Sequence, residues 1–346
     1  MGVVKEAVRG VLSHLVTATG LCALQRRWRP KNGALIFYGH RVAADDEGYL
    51  PGLRPEWLDE QLSYLTRHYE IISLSRLVQC LEQQKPVPAQ SAVITFDDGF
   101  RDNLTNALPV LQRHRVPATI FLVTGCVSQG ELPWPQRLGF IVQCTTRSRL
   151  LLAAAGLPRE VVLDDGASRR RVYLALKHHA GTLPRAAREA FLNELAAQAD
   201  VAPPRDRMLT WEDARAMQAQ GVDFGAHTYS HPWLSELPWE EAKEEMERSR
   251  VALGEELGIE RPPFCFPAGK YSPALMSLVP QLGFCSVFQP SPRHRVNSLA
   301  TATAFSLARV GLPNAPAVYL EAEIDGPLPA LRALLPRRRA PHGAAP

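Results

Sequence analysis

Ala92-Val93-Ile94-Thr95-Phe96-Asp97-Asp98-Gly99 opens with apolar and β-branched residues and ends in two carboxylates and a glycine. The first five residues read as a buried strand, the last three as its C-terminal end and a turn. Delivering two acids to the tip of an apolar strand is costly unless they are paired or bind a metal, because a bare buried charge loses its hydration. Neighbouring strand residues point to opposite faces, so Asp97 and Asp98 share a pocket only if the backbone turns at the strand end. Taken alone, the stretch reads first as a strand followed by an ordinary Asp-Gly turn.

A second stretch shifts that balance. Val222-Asp223-Phe224-Gly225-Ala226-His227-Thr228-Tyr229-Ser230-His231-Pro232 is another short apolar run ending in polar residues, with three residues between its histidines. One helical turn or a tight loop aims both imidazoles at one point, and imidazole is a common zinc ligand. Two histidines and one carboxylate around an open position make a hydrolytic metal site. The plain alternative is a pair of surface or capping histidines before a helix. The acid pair at one strand end together with H-x-x-x-H at another favours the metal.

Thr95-Phe96-Asp97-Asp98-Gly99 followed by His227-Thr228-Tyr229-Ser230-His231 resembles the motifs of the polysaccharide deacetylases, the NodB-homology family (carbohydrate esterase family 4). The resemblance runs from about Gly33 to Pro313. It implies an α/β fold, a distorted (β/α) barrel of the NodB-homology type, with the site at the strand C-terminal ends where these residues are expected. It also implies that Asp97 is the catalytic base and that Asp98, His227 and His231 hold a divalent metal. Zinc is the first expectation, with cobalt, nickel or manganese as alternatives.

Gly33 to Val42 reads as a first buried strand that delivers His40 to its end. A strand-terminal histidine satisfied by the backbone is the plain reading. The stretch is similar to the Y-H-x-V strand of a subset of the family with permuted motif order, with Gly39 inserted before the histidine. That resemblance makes His40 the acid that protonates the leaving amine. The lack of an L-x-x-H motif near the C-terminal end agrees with it.

Arg261-Pro262-Pro263-Phe264 spells the R-x-P-F motif of the unpermuted family. Phe264-Cys265-Phe266-Pro267-Ala268-Gly269 fits the F-x-Y-P-x-G motif of the subset better, with Cys265 where that motif has arginine. Arg261 is then expected at the surface. The arginine that keeps Asp97 ionised is sought in Leu307-Ala308-Arg309-Val310, on the final predicted strand, where Arg309 is similar to an arginine of the subset. A strand-end arginine at the surface is the competing reading. Pro267, Gly269 and Trp233 are candidate substrate-binding residues.

The 346 residues, 46% hydrophobic and 21% charged, are ordinary for a globular chain with a sizeable core. A net charge of +4, without aromatics interleaved among basic residues, argues against nucleic-acid binding. The six cysteines are scattered with no C-x-x-C pair, which reads as buried reduced thiols and a cytoplasmic location.

Residues 1–30 read as an amphipathic helical segment with a basic end, too broken by charges for a spanning helix and poor as a signal peptide. It is expected to dock on the domain, with peripheral contact at the inner membrane as the alternative. Residues 31–326 form the catalytic domain. A helical insertion is expected at about 131–207, with helices at Arg137–Leu152, Ala167–His179 and Pro184–Ala199, covering the cleft. The helix from Pro238 to Leu257 reads as having an ordinary solvated Glu/Arg face. The Pro-, Ala- and Arg-rich tail, 327–346, is expected to be disordered.

The activity these expectations add up to is metal-dependent removal of N-acetyl groups from amino sugars of a polysaccharide or glycan precursor, as in exopolysaccharide biosynthesis. A related amidohydrolase acting on a non-sugar C–N bond and an O-deacetylase are alternatives. So is a non-catalytic glycan-binding or assembly protein.

Overall fold

The computed structural model describes residues 2–28, 32–152, 156–289 and 296–326. The tail expected to be disordered lies outside the described residues.

Helices α1 (Gly2–Ala18) and α2 (Leu21–Trp28) precede the barrel. Then come β1 (Ala34–Gly39), α3 (Pro55–His68), β2 (Glu70–Ile71), α4 (Leu74–Glu82), β3 (Ser91–Phe96), α5 (Leu108–His114), β4 (Ala118–Leu122) and α6 (Thr124–Gln129). The insertion contributes α7 (Trp134–Cys144), β5 (Arg149–Leu151), β6 (Glu160–Val162), α8 (Gly166–Gly181) and α9 (Arg185–Ala199). The chain returns through α10 (Trp211–Gln218), β7 (Val222–Ala226), α11 (Trp239–Leu257), β8 (Pro263–Phe264), α12 (Pro273–Gln281), β9 (Ser286–Gln289), β10 (Leu307–Ala308), β11 (Val310–Gly311) and α13 (Ala317–Ile324).

The strands run parallel in the order β10-β9-β8-β7-β4-β3-β1-β11, with β2 pairing the first residues of β3. The two ends of that path are one extended segment interrupted only at Arg309. Leu307 and Ala308 pair with β9, and Val310 and Gly311 with β1, so this segment closes the barrel. Parallel strands covered on both faces read as continuous apolar runs, and β3 and β4 are buried at every position.

Alternate residues feed two cores. Leu35, Phe37, Ile94, Ile120 and Phe224 pack outward against α3, α5, α10 and α11. Ala34, Ile36, Val93, Phe121, Phe288 and Leu307 form the inner core and pack with Leu74, Leu77 and Leu81 on one face of α4, whose other face is exposed. Ser73 caps α4 through a bond from the Arg76 amide. Thr210 and Asp213 form a capping box at α10.

One expected helix is shorter than predicted. The stretch expected to be helical from Arg137 to Leu152 ends at Cys144, and Arg149–Leu151 forms an antiparallel hairpin with Glu160–Val162. The break lies at Thr145, whose hydroxyl bonds the Ala199 carbonyl and accepts from the Arg147 amide, so it caps a turn instead of continuing the helix.

The N-terminal segment docks as expected. Gly10 packs against Tyr319 of α13, and Arg26 binds Asp325, Glu321, Tyr64 and His68. Among the described residues no helix is long and apolar enough to cross a membrane.

Candidate active site

The site lies at the C-terminal ends of β1, β3, β7 and β8 and in the gap between β10 and β11. Gly39 does not displace His40. It is the last residue of β1, in register with Phe96, and its carbonyl accepts from the Asp97 amide. His40 therefore sits level with Asp97.

Asp97 continues the inward-facing register of Val93 and Thr95. Asp98 would face away if the strand went on. Instead its φ of 74° and that of Gly99, 80°, are left-handed, and the chain turns. Both carboxylates are thus brought to one buried place, 2% and 1% exposed. A Cβ on Gly99 would come within 2.6 Å of Leu122, so the turn requires glycine there.

Asp97 is gripped by Arg309. Nη1 donates to Oδ1 at 2.8 Å and Nη2 to Oδ2 at 2.6 Å. Burial opposes ionisation of Asp97, but the Arg309 charge, with help from its hydrogen bonds, prevails and holds the pKa below the ordinary carboxylate value. His40 Nε2 lies 3.9 Å from Asp97 Oδ2, on the open side, with its side chain about a third exposed.

Asp98 Oδ1 lies 3.5 Å from His227 Nε2 and 3.3 Å from His231 Nε2. His227 donates Nδ1–H to the Cys265 carbonyl at 2.7 Å, which leaves the Nε2 lone pair facing Asp98. Burial lowers the His227 pKa to about 4, so the ring is neutral at pH 7, as a ligand must be. Asp98 Oδ1 and His231 Nδ1 are buried without hydrogen-bond partners. A buried carboxylate oxygen with no donor, facing two imidazole nitrogens, is chemically suited to a divalent cation.

A second trio, Asp97, His227 and Cys265, also lies within ligand distance. It fits a metal less well. Both Asp97 oxygens are taken by Arg309, and burial keeps the Cys265 thiol protonated while Arg309 Nη2 lies 2.8 Å from its Sγ.

The loop carrying the histidines is shaped by residues that sequence reasoning missed. Thr228 and His231 have left-handed φ values of 67° and 61°, which a β-branched residue adopts only when its surroundings compel it. Glu245 of α11 accepts from the Tyr229 and Ser230 amides and the Ser230 hydroxyl at 3.1, 2.7 and 2.6 Å. From the insertion, Trp134 Nε1 donates to the His231 carbonyl at 2.8 Å and Arg188 Nη2 to Ser230 Oγ at 3.2 Å. The Arg188 guanidinium also lies over the Trp134 ring at 5.6 Å.

The face of α11 read as solvated is therefore partly wrong, since Glu245 is 2% exposed. Its place in the stripe Ala242, Met246, Ser249 and Leu253 was the signal.

The other candidates are placed as follows. Pro267 and Gly269 form a tight turn just past β8, the proline buried and the glycine exposed. Trp233 does not stand on an open cleft wall. It is 7% exposed, with its ring against Trp134 and His178 and the Lys270 amine 3.7 Å from its centroid. Arg261 is at the surface beside Glu82, as expected.

The sequence model of the family described as polysaccharide deacetylase matches residues 84–287, more than half of the chain. The chain belongs to the polysaccharide deacetylase family. Among curated relatives of this deacetylase chain, the poly-beta-1,6-N-acetyl-D-glucosamine N-deacetylase of Escherichia coli K12 is 32% identical over 92 residues. That alignment spans 26% of this chain and 14% of the relative. IcaB from Ammonifex degensii superposes with a TM-score of 0.55 at 20% identity, covering 85% of this chain and 97% of that one. The Streptococcus pyogenes deacetylase PplD superposes at 0.54 and 18% identity, covering 85% and 98%. At that identity the two structures establish a shared fold.

Proposed function

We propose that this family member is a metal-dependent carbohydrate N-deacetylase that releases acetate from N-acetylated amino sugars of a polysaccharide or its precursor. One observation carries the reading: a buried carboxylate kept ionised by an arginine fork stands beside a carboxylate and two imidazoles suited to a cation. The relatives and the fold point the same way.

Asp98, His227 and His231 would hold the metal, zinc by the nature of the donors. When bound, such an ion polarises an amide carbonyl and makes a neighbouring water acidic. Asp97 removes the water proton, and Arg309 keeps it available as a base at neutral pH. His40, on the open side of Asp97, protonates the departing amine. A polar cleft of about 400 Å³ lies among the loops that follow β1 and β3. It is lined by Arg41, Glu47, Phe100, Arg101, Asp102 and Arg207. Its carboxylates and guanidinium groups suit the hydroxyls of a sugar.

The test is release of free amine and acetate from N-acetylglucosamine oligomers by zinc-reconstituted protein, with Asp98→Ala alongside. Release that disappears in Asp98→Ala supports the reading. Metal bound at one equivalent without release from any N-acetylated sugar overturns its carbohydrate part.

A further inference from the structure

Helices α1 and α2 hold the barrel with one face and turn an apolar one outward. Gly10, Ser13 and Cys22 are buried, whereas Val11, Leu12, Leu15, Leu21 and Leu24 are 61, 45, 58, 43 and 52% exposed. These are five of the eleven large apolar side chains exposed among the described residues, gathered within fourteen positions. Val11 and Leu15 are one helical turn apart, and the sequence continues the same spacing backward at Val8 and Val4. A contiguous apolar stripe on the far side of a docked helix is a surface built for an apolar medium.

Charge says which medium. Residues 1–31 hold six Lys or Arg and a single acid, Glu6, in a chain whose net charge is only +4. Arg27 is exposed at the end of α2, and Arg29 and Lys31 follow it in the sequence. A second copy of this face would bring like charges together, whereas an anionic bilayer offers hydrocarbon to the leucines and phosphate to the cations. Neither helix can cross a membrane, so the pair would lie in its plane.

We propose that α1 and α2 seat the protein on an anionic lipid surface. Val11, Leu12, Leu15, Leu21 and Leu24 enter the headgroup–acyl boundary, and Arg27 meets the headgroups. Arg26 borders a hollow lined by Gly33, Leu35, Gln90 and Ser91, at the N-terminal ends of β1 and β3. That end of the barrel is opposite Asp97, so the seat leaves the cleft open to water.

The experiment is co-sedimentation of the full chain with vesicles of phosphatidylcholine alone and of phosphatidylcholine mixed with phosphatidylglycerol. The wild type binds the mixed vesicles and is released by salt. Leu12→Gln/Leu15→Gln weakens binding roughly tenfold or more, since each leucine loses its burial in lipid. Arg27→Glu weakens it on mixed vesicles only. All these side chains are exposed, so melting temperatures stay unchanged, which separates lost binding from lost folding. Absence of wild-type binding, or binding indifferent to Leu12 and Leu15, overturns the proposal. A lipid-free dimer that the double variant dissociates assigns the face to a second copy and also overturns it.

Discussion

Arg309 reaches Asp97 from the one position where the closing strand of the barrel is interrupted, and it meets both carboxylate oxygens, at 2.8 and 2.6 Å. Its backbone lies between a pair bonded to β9 and a pair bonded to β1. The fork is therefore aimed by the closure of the barrel itself. Stacking on Tyr38 and Phe288, at 4.4 and 4.8 Å from their centroids, fixes its plane.

Replacing Arg309 by Met leaves Asp97 buried without its counter-charge, so its pKa rises. The acid limb of the kcat/KM profile should move to higher pH, and the rate at pH 7 should fall by roughly 100-fold or more. Arg309→Lys restores the charge without the fork and should recover part of the rate. An unmoved acid limb in Arg309→Met would show that Asp97 is not the base.

Asp97→Asn and Asp98→Ala should separate the two acids. The first keeps about the wild-type metal content and loses turnover by roughly a thousandfold, in the range expected for a positioned base. The second loses the metal. Elemental analysis after dialysis, set beside rates, reads both, and turnover retained in Asp97→Asn contradicts the assignment.

The insertion should matter to metal binding as well as to access. Trp134→Phe keeps an aromatic ring and deletes the hydrogen bond to the His231 carbonyl, while Arg188→Met deletes the bond to Ser230. Groups that orient ligands are typically worth about 10- to 100-fold in metal affinity. Competition with a chelator measures this directly. Unchanged affinity in both variants would limit the insertion to covering the cleft.

The metal-free protein should lose stability on mild acidification. His227 is neutral when folded down to about pH 4, whereas an unfolded histidine takes a proton near pH 6.5. Between those values the unfolded state binds more protons, so stability falls as the pH drops through that window. Glu245, whose pKa is raised by burial, acts in the opposite sense. The readout is therefore the difference in melting temperature between wild type and His227→Gln from pH 7 to pH 4. A difference independent of pH refutes the buried neutral histidine.

Arg261→Ala should be silent in rate and within about 0.5 kcal/mol in stability, because its side chain is 66% exposed beside Glu82. A large rate loss would return the R-x-P-F reading to the site.

The sequence by itself determined the pieces whose information is local. The apolar run ending at Asp97 and the turn that follows it come from strand patterning and turn chemistry. These rules act over a few residues; it was the resemblance of the two motifs to the deacetylase family that implied the barrel and joined Asp97, Asp98, His227 and His231 in one site. Tertiary structure decided what depends on partners far along the chain. The segment 307–311 carries only two paired residues on each side of Arg309, too few to fix its register without β9 and β1 on either flank. Arg188 and Glu245 look like surface charges in their own helices, and burial beside the histidine loop changes their meaning. The same logic holds in reverse at Leu12 and Leu15: a helix has several faces, and only docking against α13 showed which of them is left outward.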